Sequence, residues 1–186
     1  MYTKTIRNLT YEIRDDYAVV TACDTNATSV VVLTEVEGKP VTEIGDCTFY
    51  GCESLESIAI PNSVTQIGYG TFVSCESLKG ISIPDSVNKI GEYAFFGCKS
   101  LKKITIPNSI TEIRKWAFCD CPSLTEVTIP DNIKKIDKTA FKNCSNIQKV
   151  KFSQALANRT DSKKIFEQMV NAGLCTYEVI FQEPAL

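Results

Sequence analysis

Residues 90–110 read IGEYAFFGCKSLKKITIPNSI, and this pattern returns every 23 residues through residues 44–152. Five copies align without a gap, so the same kind of side chain recurs at the same place in each copy. The best-kept columns are Ile44, Ile67, Ile90, Ile113 and Ile136; Phe49, Phe72, Phe95, Phe118 and Phe141; and Cys52, Cys75, Cys98, Cys121 and Cys144. A fixed period of this length is typical of proteins built from stacked copies of one structural unit.

Each unit contains one short stretch that is typical of a β-strand. In residues 101–106 the apolar side chains of Ile104 and Ile106 alternate with polar ones, and Pro107 then follows. Proline cannot donate a hydrogen bond to a strand ladder, so the strand is expected to stop there. One unit is too small to bury its own Ile, Phe and Leu side chains, but stacked units bury them in a continuous strip. The pattern therefore predicts an α/β-type repeat solenoid with a parallel β-sheet on one wall, and mostly short strands, loops and short helical turns on the other.

The regions on either side of the repeats lose the 23-residue register and are predicted to cap both ends of the solenoid. Residues 1–43 are expected to form capping strands and an irregular first turn, with a hairpin around Asp15 and Asp16. Residues 44–152 hold the five repeats, and residues 153–186 form the second cap. All three regions are predicted to belong to one structural domain.

The C-terminal cap is predicted to contain a helix over about residues 161–172 and a strand over about residues 177–181. Asp161 is the expected N-cap of the helix, and Gly173 suits its end. The predicted apolar face of the helix consists of Ile165, Phe166, Met169 and Val170. A helix and a strand here would shield the open edge of the sheet, which would otherwise invite aggregation.

The nine cysteines suggest disulfides, metal ligands or buried thiols. Five occupy equivalent positions, so they would lie about 4.8 Å apart in a stack, with side chains that point the same way and suit disulfides poorly. Cys119 and Cys121 are too close in sequence for the usual zinc-ligand pair, and the chain has no histidine. Because free cysteine is a small and often buried apolar side chain, the pattern favours a reduced cysteine ladder, without a metal or a cofactor.

Catalytic chemistry has little support in the residue pattern. Without histidine, the chain has no Ser–His or Cys–His pair and no imidazole base near neutral pH. No phosphate-binding loop occurs, and Gly68 and Gly70 lack the strand-then-helix setting of a dinucleotide site. We therefore predict that the protein is not an enzyme and has no catalytic residues.

The charges are unevenly distributed along a chain whose net charge is only −2. Residues 1–66 carry ten acids against four bases, whereas residues 67–186 carry twelve acids against sixteen bases. This asymmetry either serves solubility alone or steers an acidic partner toward the C-terminal half. The lysines come with few exposed aromatic residues, so nucleic acid is not an expected partner.

No apolar run is long enough to span a membrane, so membrane insertion is not expected. The first residues lack the apolar core of an export signal. The expectation at this point is either a protein that stays inside the cell or a processed or cloned fragment of a longer one.

The unit I-G-x-x-A-F-x-x-C-x-S-L-x-x-I-x-I-P-x-S-V, best seen in residues 90–110, resembles the BspA-like branch of the leucine-rich repeats. The stretch GKPVTEIG at residues 38–45 is also similar to the usual lead-in of that array. The resemblance implies a curved right-handed solenoid with a parallel strand ladder on one wall. It also implies a secreted or cell-surface protein involved in adhesion, with host or extracellular matrix proteins as partners. No wall-anchor motif or membrane tail accompanies the pattern in this chain.

The candidate partner-binding wall consists of the strand residues that lie between the buried positions and line up across the units. One column is Ser57, Gly80, Lys103, Glu126 and Lys149, and the next is Ala59, Ser82, Thr105, Thr128 and Lys151. These residues either contact a partner or are simply solvent-facing strand formers. Exposed aromatic residues are expected on the opposite ridge, among Tyr50, Tyr69, Tyr93, Phe96 and Trp116.

Three hypotheses for the function remain open at this stage. The favoured one is a non-catalytic module for protein–protein interaction or surface adhesion that uses the wall. The alternative is a structural spacer or a fragment of a larger surface protein. An enzyme is the least favoured. The pattern does not specify an oligomeric state.

Overall fold

The computed structural model describes residues 1–174 and, as backbone, residues 178–182. The strands are β1 Tyr2–Ile6, β2 Leu9–Ile13, β3 Ala18–Cys23, β4 Ser29–Val31, β5 Glu35–Val36, β6 Lys39–Ile44, β7 Ser57–Ala59, β8 Gln66–Ile67, β9 Lys89–Ile90, β10 Lys103–Thr105, β11 Glu112–Ile113, β12 Glu126–Thr128, β13 Lys135–Ile136, β14 Lys149–Ser153 and β15 Glu178–Gln182. The helices are α1 Gln154–Ala157 and α2 Ser162–Asn171. Within the five repeats, all of which are described, there are strands and turns but no helix.

The repeats form the predicted solenoid with parallel sheets. On the wall that carries the proline-terminated strands, β10, β12, β14 and β15 form a parallel sheet, and β4 pairs with β7. The opposite wall also contains strands, in the form of two-residue parallel pairs such as Gln66–Ile67 with Lys89–Ile90. Partners in the repeats are 23 residues apart, so each coil lies on its predecessor in the register of the sequence.

The N-terminal region forms a small antiparallel sheet beside the first coil. Strands β2 and β3 form a hairpin across Asp15 and Asp16, and β3 then pairs in parallel with β6. Strand β1 pairs with β2, although the sequence pattern did not indicate a strand over the first residues. Its side chains are mostly exposed, so it lacks the apolar alternation that would have predicted it.

The first wall is interrupted at the second repeat. Residues 80–82 form no strand, and within the described chain no backbone hydrogen bond joins residues 80–83 to either neighbouring coil. Gly80 stands at this point, where the other repeats have serine, lysine or glutamate. Glycine weakens a strand because it offers no side chain to pack and loses much backbone entropy on ordering. The wall therefore consists of two separate ladders rather than one continuous sheet.

The core is a continuous spine of stacked side chains. The five repeat phenylalanines are buried, and their consecutive rings stack with centroids 5.0 to 5.3 Å apart and planes within 12° of parallel. Columns of buried Ile, Leu and Cys accompany them from one coil to the next. Each coil buries its apolar side chains against the coils before and after it, which is why one unit could not fold alone.

The C-terminal helix α2 covers the last coil with only part of its predicted face. Ile165 and Met169 are buried, and the half-buried ring of Phe166 lies 5.1 Å from that of Phe152, but Val170 is 52% exposed. The prediction that Val170 packs against the core is therefore wrong. At about 100° per residue, one helix places Ile165 and Met169 on one side and turns Val170 away from it.

Asp161 occupies the N-cap position of α2, but its side chain makes no capping hydrogen bond. Both carboxylate oxygens instead accept from the guanidinium of Arg159, at 2.9 and 2.6 Å. The expected capping role of this side chain is therefore wrong, because a charged bidentate pair holds it elsewhere. Gly173, with φ of +98°, follows the helix. Tyr177, the predicted start of the last strand, and Cys175 lie outside the described residues.

Candidate binding wall

The ten predicted wall residues all lie on the solvent side of the coil. The alternate residues of the same strands, Ile58, Ile104, Val127 and Val150, are buried. The exposed members are Ser57, Ala59, Gly80, Ser82, Lys103, Thr105 and Lys149, and the half-buried members are Glu126, Thr128 and Lys151. This alternation follows from strand geometry, which sends successive side chains to opposite faces.

The sheet brings the C-terminal members of the two columns side by side. Lys103 pairs in register with Glu126, and Glu126 with Lys149. In the second column Thr128 lies between Thr105 and Lys151. The N-terminal part of the wall is uncharged, and the hydroxyl of Ser57 donates to that of Ser29 at 2.9 Å. Because residues 80–82 form no strand, Gly80 and Ser82 extend the wall without belonging to either ladder.

Glu126 is the centre of the charged part of the wall. Lys151 Nζ lies 2.8 Å from its Oε1, and Lys103 Nζ lies 3.7 Å from its Oε2. The hydrogen bond from Lys151 lowers the pKa of Glu126, and the charges of Lys151, Lys103 and Lys149 add to the effect. Three lysines thus neighbour Glu126, and Glu178 of β15 pairs in register with Lys149, so this part of the wall carries three bases against two acids.

The contact between Glu126 and Lys151 was missed in the sequence, because the two residues belong to different columns. Their separation of 25 residues is one repeat plus two, which places them diagonally on the same face of neighbouring strands. The side chain of Lys151 is long enough to span that diagonal. A search for opposite charges at this separation, as well as at 23, would have found the pair.

The repeat cysteines lie in the core beside the phenylalanine stack and form no disulfide. Each thiol of the last four units donates to the carbonyl of a phenylalanine in the preceding coil, as Cys75 Sγ does to Phe49 O at 3.1 Å. Burial raises the pKa of Cys75, and it raises the pKa of Cys119 to about 12. Thiols in such surroundings stay protonated and are poor nucleophiles and metal ligands.

Cys23 also lies beside this row, although it precedes the repeats in the sequence. Its thiol is half-buried next to that of Cys52, the first repeat cysteine. Among the described residues, no group of three or more acids and cysteines is arranged to hold a metal ion.

The aromatic residues on the outer turns form a second surface, here called the aromatic ridge. It consists of Tyr50, Tyr69, Tyr93, Phe96 and Trp116. The ring of Tyr93 lies between those of Tyr69 and Trp116, with centroids 5.5 and 6.0 Å away. Tyr50 and Tyr69 are 61% and 50% exposed, and the other three are half-buried.

Backbone conformation at the ridge is unusual for large side chains. Tyr93 and Trp116 have φ of +58° and +59°, in the left-handed region. This conformation costs about 1–2 kcal/mol for a residue with a Cβ, and an outlier of this kind is a reason to look for a function. The indole Nε1 of Trp116 is buried without a hydrogen-bond partner in the described structure.

A family model described as a BspA type Leucine rich repeat region matches residues 42–171 in six copies. A search of the curated proteins gives no match. None of the helices in the described chain has the length and apolar character needed to span a bilayer.

Several solved structures have the same fold. A leucine-rich repeat protein of Treponema pallidum is 24% identical, with a TM-score of 0.68, over 97% of this chain and all of that one. A leucine-rich repeat protein of Bacteroides capillosus is 31% identical, with a TM-score of 0.60, over 67% of this chain and 96% of that one. A leucine rich cell surface protein of Faecalibacterium prausnitzii is 24% identical, with a TM-score of 0.56, over 82% of this chain and 55% of that one.

Proposed function

The chain belongs to the BspA-type leucine-rich repeat family, and we propose that it is a non-catalytic binding module whose wall contacts a protein partner. The observation that supports this proposal most directly is the charged cluster around Glu126. There, Lys103, Lys149 and Lys151 converge on the solvent side of a rigid parallel sheet. Extended walls of stacked repeats are the surfaces that solenoid proteins use for binding.

The partner that fits this wall has an acidic surface. Lys103, Lys149 and Lys151 outnumber Glu126 and Glu178 on this part of the wall, and the ladder of β10, β12, β14 and β15 holds these residues at fixed strand spacing. Complementary charge of this kind raises the association rate and selects among partners. The uncharged part of the wall, with Ser57, Ala59 and Gly80, lets the partner approach the backbone closely.

We further propose that binding takes place at the cell surface or after secretion, in adhesion to a host or extracellular matrix protein. The similarity to a Faecalibacterium protein described as a cell surface protein supports this location. The buried and hydrogen-bonded thiols suit a reduced cysteine ladder in the core, which takes no part in binding.

The test measures binding of the chain to a panel of purified extracellular matrix proteins by biolayer interferometry. The wall variant combines Lys103→Ser, Glu126→Gln and Lys149→Ser. The matched control carries Lys89→Ser, Glu112→Gln and Lys135→Ser, which changes the same charges in the equivalent arrangement on the opposite wall.

For the partner that binds, the wall variant is expected to lose roughly ten-fold or more in affinity, since about 1.4 kcal/mol of lost charge interaction gives that factor. The control variant should bind as the unchanged chain does, and the affinity should fall with added salt. Equal losses of affinity in both variants, or no loss in either, would show that the wall is not the binding surface.

A second candidate is a structural spacer within a longer surface protein. It is favoured by the match to the Faecalibacterium cell surface protein, of which this chain covers only 55%. A parent reading frame with an export signal and an anchor, together with no measurable binding by the wall, would support it. Binding that the wall variant abolishes would count against it.

A further inference from the structure

One column of the outer turns places a tyrosine between two acids. Asp46, Tyr69 and Glu92 occupy the same position in three consecutive repeats. Asp46 Oδ1 accepts a hydrogen bond from the backbone N–H of Tyr69 at 2.7 Å. On the other side, the backbone carbonyl of Glu92 accepts from Gly70, the next residue, at 2.9 Å. The ring of Tyr69, half of whose surface is exposed, therefore has one carboxylate-bearing residue in the coil before it and one in the coil after it.

Neither carboxylate forms an ion pair within the described chain, although Lys115 takes the next position after Glu92 in the same column. Asp46 and Glu92 are both exposed, and among the described residues no lysine or arginine lies within ion-pair distance of either. The other repeat acids that have a lysine 23 residues away do form ion pairs, as Glu56 does with Lys79 at 2.6 Å.

The other end of the aromatic ridge already contains the interaction that Tyr69 lacks. The rings of Tyr69, Tyr93 and Trp116 follow one another across three coils, and the ammonium of Lys142 lies 5.1 Å from the Trp116 ring centroid. A cation at this distance from an aromatic face is attracted by the ring quadrupole. Within the described chain, no cation lies over Tyr69.

We propose that Asp46, Tyr69 and Glu92 form a second contact site, which binds an arginine or lysine side chain of an extended segment of a protein partner. The ring supplies a face for the cation, and the two carboxylates supply the opposite charge on either side of it. Arginine suits the site best, because its planar guanidinium stacks on an aromatic face and donates to two carboxylates in its own plane. Tyr50, 61% exposed and also on the ridge, extends the apolar surface that flanks the bound segment.

The opposite charge of the two surfaces separates this site from the wall. The wall around Glu126 has excess ammonium groups and fits an acidic partner, whereas the site at Tyr69 has excess carboxylates and fits a basic one. They lie on different sides of the coil, one on the strands and the other on the outer turns. The site at Tyr69 therefore does not depend on the proposed function of the wall.

The experiment measures fluorescence anisotropy of a labelled peptide of four Arg-Gly repeats, titrated with the chain at low salt, with a Glu-Gly peptide as the comparison. Tyr69→Ala removes the ring and Tyr69→Phe keeps it. The pair Asp46→Asn and Glu92→Gln removes the two charges, while the amide oxygen introduced at the first position can still accept the backbone hydrogen bond.

The charge-matched control is Asp15→Asn with Asp16→Asn, two exposed acids of the N-terminal hairpin. The ring control is Tyr2→Ala, a tyrosine that is 53% exposed and lies off the ridge.

The Arg-Gly peptide should bind and the Glu-Gly peptide should not. Tyr69→Ala is expected to weaken binding about two- to five-fold, while Tyr69→Phe and Tyr2→Ala leave it unchanged. The double variant at Asp46 and Glu92 should weaken peptide binding roughly two- to ten-fold, and the double variant at Asp15 and Asp16 should weaken peptide binding less.

Equal effects of the two double variants, or no effect of Tyr69→Ala, would overturn the proposal. A Tyr69-dependent dimer in sedimentation would also overturn it, because the occupant would then be a second copy of the chain.

Discussion

The rings of Phe72 and Phe95 stack with their centroids 5.0 Å apart and their planes 12° from parallel. Both side chains are fully buried, and each has a further phenylalanine on its other face. The two residues come from different repeats, so their contact joins one coil to the next rather than stabilising a single coil. This relationship is the physical basis of the solenoid and of the first prediction.

Phe95→Ala is expected to lower the free energy of unfolding by about 3–5 kcal/mol, because it opens a cavity in the middle of the spine. Urea denaturation followed by circular dichroism measures the change. Phe96→Ala is the matched control, since Phe96 is the next residue but is only half-buried on the ridge. A loss for Phe96→Ala as large as that for Phe95→Ala would contradict a stability that depends on the spine.

Gly91→Ala is expected to destabilise the fold by about 1–3 kcal/mol through overpacking. A Cβ at this position would lie 2.6 Å from Tyr69 N, a backbone atom of the preceding coil. Gly80→Ala should instead be neutral or stabilise by about 0.4–1 kcal/mol, because a Cβ there meets nothing within 4 Å. Thermal denaturation of the two variants side by side checks the contrast, and the same sign of effect in both would refute it.

Glu126→Gln should destabilise the protein at pH 7 by roughly 0.5–1 kcal/mol, the range of a partly exposed ion pair. The lysines lower the pKa of Glu126 in the folded state, so the stabilisation is fully present above the unfolded value of about 4.3. It is lost as the pH falls through the folded pKa.

Urea midpoints of the unchanged chain and the Glu126→Gln variant, measured from pH 7 to pH 3, should therefore converge at the acid end. Thr128→Val, on the same strand but uncharged, is the control and should show a difference that does not depend on pH. Parallel curves for Glu126→Gln and the unchanged chain would show that the three lysines do not stabilise this carboxylate.

The thiols should separate into reactive and protected groups when they are titrated with a disulfide reagent. Cys47 is exposed and should react at once in the native protein, whereas the five buried repeat cysteines should react only on unfolding. In denaturant without reductant, all nine cysteines should titrate. Cys47→Ser should remove one thiol from the fast reaction. Fewer thiols in the unfolded chain would mean that disulfides exist and that the reduced ladder is wrong.

The columns of the wall could be predicted from the repeat alone, since residues at one repeat position must line up when coils stack in register. Lys103, Glu126 and Lys149 are neighbours for this reason. The diagonal pair of Glu126 and Lys151 could not be assigned with the same ease, because a long side chain can lean along the strand in either direction. The missing strand at Gly80 depends on a balance between backbone entropy and hydrogen bonding that a pattern of apolar residues does not express.

The sequence by itself determined the period, the buried columns and the stacking of the coils, because an apolar residue at the same position in every unit can leave water only against its own equivalents. The tertiary structure alone decided where the ladders break, that Arg159 draws the Asp161 carboxylate away from its capping position, and that Asp46 and Glu92 form no ion pair among the described residues. These features depend on the paths of individual side chains and on which charges come within a few ångströms of one another. The repeat pattern fixes the positions of the backbones but leaves those choices open.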